Sequence, residues 1–326
     1  MQKTPVFALC VLCVWLAGVA AFDASAQSYP AKPVRIVLGF PPGGASDILM
    51  RFVGARLTDS LGQPIVYDNR PGAGGNVAGE IVAKSPPDGY TLLMGNNAIL
   101  ATNASLYKNM SFDPVKDLAP VALIASQPNI LVVHPSLPVN TVKEFIAFAR
   151  SRPGQLNYAS SGNGLAAHLA GELFKTMTRT NMVHIPYKGA GPALVDTLSG
   201  QCQVMFATAV SVQPYLQSGR LRPLAVTTAT RSRNFPALPS VAEAGVPGFE
   251  ATSWHGLVAP AGTPQAVITR LNGEINKVLQ QPDIRDRLAK QGADVASGTP
   301  QQFAAYIRAE IPKWAKVIKD SGAHAD

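Results

Sequence analysis

From position 27 onward, short apolar runs alternate with longer stretches in which apolar residues recur at helical spacing. The run 34–38 reads as a buried strand, and a glycine and proline loop follows over 39–46. From Asp47, Ile48, Leu49, Phe52, Val53 and Leu57 share one helical face, and Gly62 closes the segment. The same unit recurs. Residues 64–67 predict a strand before the glycine-rich 70–75, 76–83 a helix, and 91–94 another strand. Thr141 and Glu144 form a Thr-x-x-Glu capping box opening a helix that Pro153-Gly154 ends. The strand 157–160 leads through Ser161-Gly162-Asn163-Gly164 into a helix carrying Leu169, Leu173, Phe174 and Met177. Residues 182–187 lead through Lys188-Gly189-Ala190-Gly191 into another helix, and 204–207 and 224–227 predict further strands. Strand and helix in alternation predict an α/β fold with mostly parallel sheets covered on both faces.

Two stretches, 121–133 and 251–260, break the alternation and read as crossings between domains. With both as crossings the first domain is discontinuous: 27–125 plus 251–326, with 126–250 inserted as the second. The C-terminal helices, 265–281 and 300–321, then return to cover the first domain. A chain of 326 residues exceeds the usual size of a single core, which agrees with two domains.

The first 26 residues change the picture of where the chain works. Lys3 is followed by an apolar run over 7–21 and by Ala24-Ser25-Ala26, the small-residue form of a cleavage site. This predicts a secretory signal peptide cleaved after Ala26 and an exported mature protein; the apolar run is short for a spanning helix. The leader carries one charge of each sign, so the net charge of +8 is unaffected by its removal. Of the three cysteines only Cys202 remains, in the apolar 202–207, so no internal disulfide forms and the thiol reads as a small buried hydrophobe.

Glycine-rich loops between a strand and a helix occur at Gly43-Gly44, at 162–164 and at 189–191. In open parallel sheets such loops gather where ligands bind, and each helix start offers unpaired N–H groups and a partial positive charge. The loop 39–46 has the outline of a nucleotide loop, but Ala45 stands where a phosphate-binding lysine is required. The run Gly72-Ala73-Gly74-Gly75-Asn76-Val77 fails the dinucleotide fingerprint at Val77. Ser160 and Ser161 lack the Gly-x-Ser-x-Gly context, and His134, His168, His184, His255 and His324 form no metal-binding spacing. His168 and Glu172 share a helix face, more simply as a surface pair than as metal ligands. Basic residues are scattered, which argues against nucleic acid, and Lys313, Lys316 and Lys319 read as a solvated stripe. No metal and no cofactor is implied. What remains is a small anion: hydrogen bonds to a charged group contribute about 1.5–3 kcal/mol each, so four or five backbone donors reach the roughly 8 kcal/mol of micromolar binding.

Several motifs carry a resemblance. Tyr29-Pro30-x-Lys32-Pro33-Val34-Arg35, Phe40-Pro41-Pro42-Gly43-Gly44-x-x-Asp47, Asn69-Arg70-Pro71-Gly72-Ala73-Gly74-Gly75, Pro87-Asp88-Gly89-Tyr90-Thr91-Leu92, Pro186-Tyr187-Lys188-Gly189 and Ala259-Pro260-Ala261-Gly262-Thr263-Pro264 resemble the Bug family of extracytoplasmic solute receptors of tripartite tricarboxylate transporters. The resemblance implies a monomeric, periplasmic two-domain binding protein of the type II flytrap form, not an enzyme, that closes on a small carboxylate and delivers it to a two-subunit membrane transporter. It implies that the carboxylate is held by two loops, here through Gly43, Gly44, Ala45 and Ser46, and through Ser161, Gly162, Asn163 and Gly164. His168 one turn along and Lys188 at the rim are further ligand-binding candidates, and Asp47 is expected to cap its helix and fix its loop. The segment 207–211 is where the distal end of the ligand is read; its few pairing side chains favour a mono- or dicarboxylate with an apolar body over citrate. The alternatives are an exported hydrolase or lyase using Ser161 or His168, and a sensor input docking on a membrane kinase.

Overall fold

The computed structural model describes residues 29–324. The expected leader over 1–26 lies outside the described residues. Strand β1 (Val34–Leu38) is flanked in parallel by β2 (Ile65–Asn69) and β3 (Thr91–Asn96). Its residues Val34, Ile36, Val37 and Leu38 are all fully buried, which is why 36–38 is apolar without alternation, while Arg35 reaches the surface and pairs with Asp68. Helix α1 (Ala45–Leu61) lays Leu49, Met50, Val53 and Leu57 on one face of this sheet beside α8 (Gln265–Leu279), and α2 (Asn76–Ala83) covers the other. Gly62 ends α1 in the left-handed region, its N–H donating to Thr58 O. A π-turn (Ala98–Thr102) and a short α3 (Asn103–Leu106) follow β3.

The second sheet is built from β5 (Asn157–Ser160), β6 (Val183–Pro186), β7 (Val204–Thr208) and β8 (Arg222–Val226), with α4 (Val142–Ser151), α5 (Ala166–Thr178), α6 (Ala190–Leu198) and α7 (Ala209–Gln217) between and beside them. The predicted cap at Thr141 is present: its Oγ1 accepts from Glu144 N–H, while the Glu144 carboxylate accepts from Asn140 N–H.

The two crossing stretches are two long strands, β4 (Leu118–Val133) and β9 (Thr252–Pro260). β4 pairs with β9 as far as Pro128 and with β7 from Asn129 onward, so one strand serves both sheets. Its prolines stand at interruptions of the ladder: the register shifts between Pro120 and Ala122, and Pro128 marks the hand-over. A residue without an N–H is tolerated where no ladder bond is required of it. The chain leaves the first sheet along β4 and returns to it along β9, which inserts between β3 and β4.

The sheets are mixed where mostly parallel ones were expected. Among the described residues four strand pairings are parallel and five antiparallel, the latter all involving β4 or β9. The apolar run of a crossing strand resembles that of a parallel one because both are buried on two faces. Helix α9 (Pro282–Lys290) and the two-residue β10 (Asp294–Val295) went unread in the sequence.

The last helix, α10 (Pro300–Ser321), covers more than the first sheet, packing against α5 of the second half as well. Glu310 at its centre is buried because Trp254 and Trp314 both donate their indole N–H to Oε2, at 3.1 and 2.8 Å, and Lys313 pairs with Oε1. Lys313 is thereby drawn off the solvated stripe and over the Trp314 ring.

Candidate functional site

Strand direction locates the site. β3 ends at Asn96, beside His255 of β9, which pairs with Ala125 of β4; β7 runs the opposite way and ends at Thr208, beside Asn129 of β4. The carboxyl ends of the two sheets therefore face each other across four residues of one strand, about 13 Å at the usual rise. β1 and β5 end on the same two edges, each followed by a glycine loop and a helix start.

The first loop is held by a carboxylate. Asp47 Oδ2 accepts from Gly43 N–H at 3.0 Å and Arg51 Nε at 2.9 Å, and Oδ1 accepts from Asn69, whose amide also ties Phe40 O. Burial pushes the Asp47 carboxyl up, but hydrogen bonds from Arg51, Gly43 and Asn69 outweigh it and hold it below the usual carboxylate range. Gly44 occupies the N-cap position with no side-chain cap, so the amides at the start of α1 stay uncapped. Asp47 thus fixes the loop from the third helical position instead of capping the helix. Gly43 needs the left-handed region, at φ 82°. Ser46 turns inward, its Oγ 3.1 Å from Nδ1 of buried His255. Burial lowers the His255 pKa to about 4, so the ring is neutral.

The second loop is held by imidazoles. Gly164 N–H donates to His168 Nδ1 at 2.9 Å, and Ser160 Oγ lies 2.6 Å from His184 Nε2 while accepting from Gly162 N–H. The two rings stack with centroids 4.0 Å apart and planes 6° apart, and Tyr158 stacks on the far side of His184. Burial lowers His168 to about 4 and His184 to about 3, the latter also through His168 and Lys175. Neutral rings at Nδ1 can accept a backbone hydrogen, which an imidazolium cannot. Gly164 also meets the first half of the molecule: a Cβ there would stand 1.8 Å from Leu106 Cδ2 of α3. Gly189 N–H donates to Ser161 O, which brings the exposed Lys188 to the loop's outer side.

The structure thus gathers the two predicted loops on facing edges, with Gly43, Gly44, Ala45 and Ser46 on one and Ser161, Gly162, Asn163 and Gly164 on the other. His168 is buried with its Nδ1 engaged by Gly164, which makes it a support of the second loop. His184, beneath the second loop, and the buried His255, Asn97, Gln127 and Asn129 were not among the candidates read from the sequence. The first lies 24 positions from the serine it touches, and only strand pairing joins them. The 72–75 glycines serve packing, since a Cβ on Gly39 would stand 2.8 Å from Gly75 Cα. Ser160 and His184 have the spacing of a nucleophile and base, but Ser160 has no exposed surface and His184 is far too weak a base at neutral pH. No group of metal-binding side chains occurs among the described residues. An open cavity of about 530 Å³ lined by Arg231, Arg233 and Arg285 lies on the flank near β10, apart from both loops.

Residues 49–323 match the family described as Tripartite tricarboxylate transporter family receptor. The chain belongs to that family. Among its relatives, protein BugT of Bordetella pertussis is 40% identical over 324 residues, 99% of each chain. Among solved structures, R. palustris Rpa4515 with adipate superposes with a TM-score of 0.83 at 42% identity, covering 91% of this chain and 99% of that one. MatC (Rpa3494) from Rhodopseudomonas palustris with bound malate has a TM-score of 0.79 at 32% identity, covering 89% and 100%. The fold is the two-domain flytrap of periplasmic solute-binding proteins. None of the described helices is long and apolar enough to cross a membrane.

Proposed function

We propose that this receptor captures a small carboxylate in the periplasm, between residues 27–125 with 251–326 on one side and 126–250 on the other, and hands it to a two-subunit membrane transporter. The observation that carries this reading is the pair of glycine loops that follow facing strand ends, each leading into a helix start without a side-chain cap. Uncapped N–H groups and the positive ends of two helices suit a carboxylate without an arginine. The solved relatives with adipate and malate support the ligand class. The first loop contributes Gly43, Gly44, Ala45 and Ser46, the second Ser161, Gly162, Asn163 and Gly164, with Lys188 adding charge at the rim. The leader, cleaved after Ala26, accounts for export.

Thermal-shift titration of ligand-stripped mature protein against mono-, di- and tricarboxylates and uncharged analogues tests this. A rise in midpoint confined to carboxylates, with the compound recovered unchanged, is expected. Shifts with the uncharged analogues alone, or consumption of the compound, would overturn it. Delivery is tested by carboxylate uptake in cells with and without the receptor gene.

A further inference from the structure

Among the described residues four buried side-chain polar atoms have no hydrogen-bond partner: Asn97 Nδ2, Gln127 Oε1, Asn129 Oδ1 and His255 Nε2. None of the four residues is more than 4% exposed. Buried polar atoms are paired in the great majority of cases, so four such atoms in one place call for a guest. Register makes them neighbours. His255 pairs with Asn96, next to Asn97; Gln127 pairs with Ser253, two residues from His255; Asn129 follows two residues after Gln127, on the same face. The row runs from Ser46, on His255, to Thr208, paired with Asn129, along the floor between the first glycine loop and the start of α7.

The polarity of the row restricts the guest. Asn129 donates its amide N–H to Ala251 O, which leaves its Oδ1 as an acceptor, and Gln127 Oε1 is a second acceptor. Asn97 Nδ2 is a donor, and His255 Nε2 donates or accepts according to the tautomer that Ser46 selects. An ionised carboxylate accepts only, and would set negative charge against two amide oxygens. A hydroxyl both donates and accepts, and an ammonium donates to both oxygens.

We propose that this floor reads the second polar group of the ligand as a hydrogen-bond donor, so that the receptor prefers a hydroxy- or amino-substituted carboxylate over a simple diacid or alkyl acid. The inference rests on the carboxylate reading of the two loops. It is tested by calorimetric titration of the mature receptor at pH 7 with four- and six-carbon acids whose far end is methyl, hydroxyl, ammonium or a second carboxylate.

In the chain length that binds better, the hydroxyl or ammonium compound is expected to bind about tenfold or more tighter than the methyl and carboxylate compounds. Gln127→Met and Asn129→Leu, checked for folding by circular dichroism, are expected to shrink that preference to about threefold or less while the methyl compound still binds. A methyl or dicarboxylate compound binding as tightly as its hydroxyl and ammonium counterparts, as when the floor holds only water, overturns the inference and leaves the loop reading intact. An unchanged preference in both variants overturns it as well. Absence of binding by every compound overturns the loop reading and this inference together.

Discussion

The two glycine loops do the same geometric task with opposite chemistry. One is tied by the Asp47 carboxylate to Gly43, Arg51 and Asn69; the other by neutral His168 and His184 to Gly164 and Ser160. The first support carries a charge that is present across the whole physiological range. The second works only while its rings stay uncharged. A loop that must present N–H groups to an anion needs its own polar atoms occupied from behind, and either an acceptor oxygen or an acceptor nitrogen serves.

Gly164→Ala separates the loops most sharply. The added Cβ overlaps Leu106, and φ is 72° there, so a stability loss of about 2–5 kcal/mol is expected in urea denaturation, with carboxylate binding abolished. Leu106→Ala in the same chain should recover the overlap component and leave the backbone component. A full recovery would show that the conformation itself costs nothing.

The next effect is of pH. The unfolded chain protonates His168 near its ordinary 6.5, whereas the folded chain resists to about 4. Stability from the neutral ring is therefore complete above pH 6.5 and falls as the pH drops through that window, by at most about 3 kcal/mol. His184 extends the fall to about pH 3. In His168→Gln, whose amide oxygen can still accept from Gly164, the slope between pH 6.5 and 4 should lessen by one proton; an unchanged slope would place the titration elsewhere, as at His255.

Asp47→Asn is the matching change in the first loop. With Arg51 half-exposed, a loss of about 1–2 kcal/mol is expected, constant from pH 5 to 8, since the low-lying carboxyl gives up its contribution only as the pH falls below the ordinary carboxylate range. A loss that varies across that range would mean that the charge is not what holds Gly43. Lys188→Gln should do least: affinity for a carboxylate falls by about threefold or less, erased by salt, with no change in unfolding midpoint.

What was legible in the sequence were features whose cause is local. The buried run 34–38, the strand 157–160 and the long helix 300–321 are recorded in periodicity and caps, and appear where expected. The two loops were legible as turns between a strand and a helix, but the 72–75 glycines stand in a like position and serve packing, so glycine content alone does not mark a site. The reverse direction of β4 and β9 was not, since a strand buried on both faces looks the same whichever way its neighbours run. His184 and Gln127 escaped for a related reason: each matters through a residue on another strand, and nothing in their own surroundings marks them.

The position of β9 has a consequence for the order of assembly. As the chain emerges from its N-terminus, β1, β2 and β3 appear within the first hundred residues, yet the strand that joins β3 to β4 arrives only at 252–260. Every strand of the second sheet has emerged by then. The first sheet must wait with one edge unsealed while the second can close, so a nascent chain is most exposed to mispairing at β3, and a factor that shields that edge would act before residue 260.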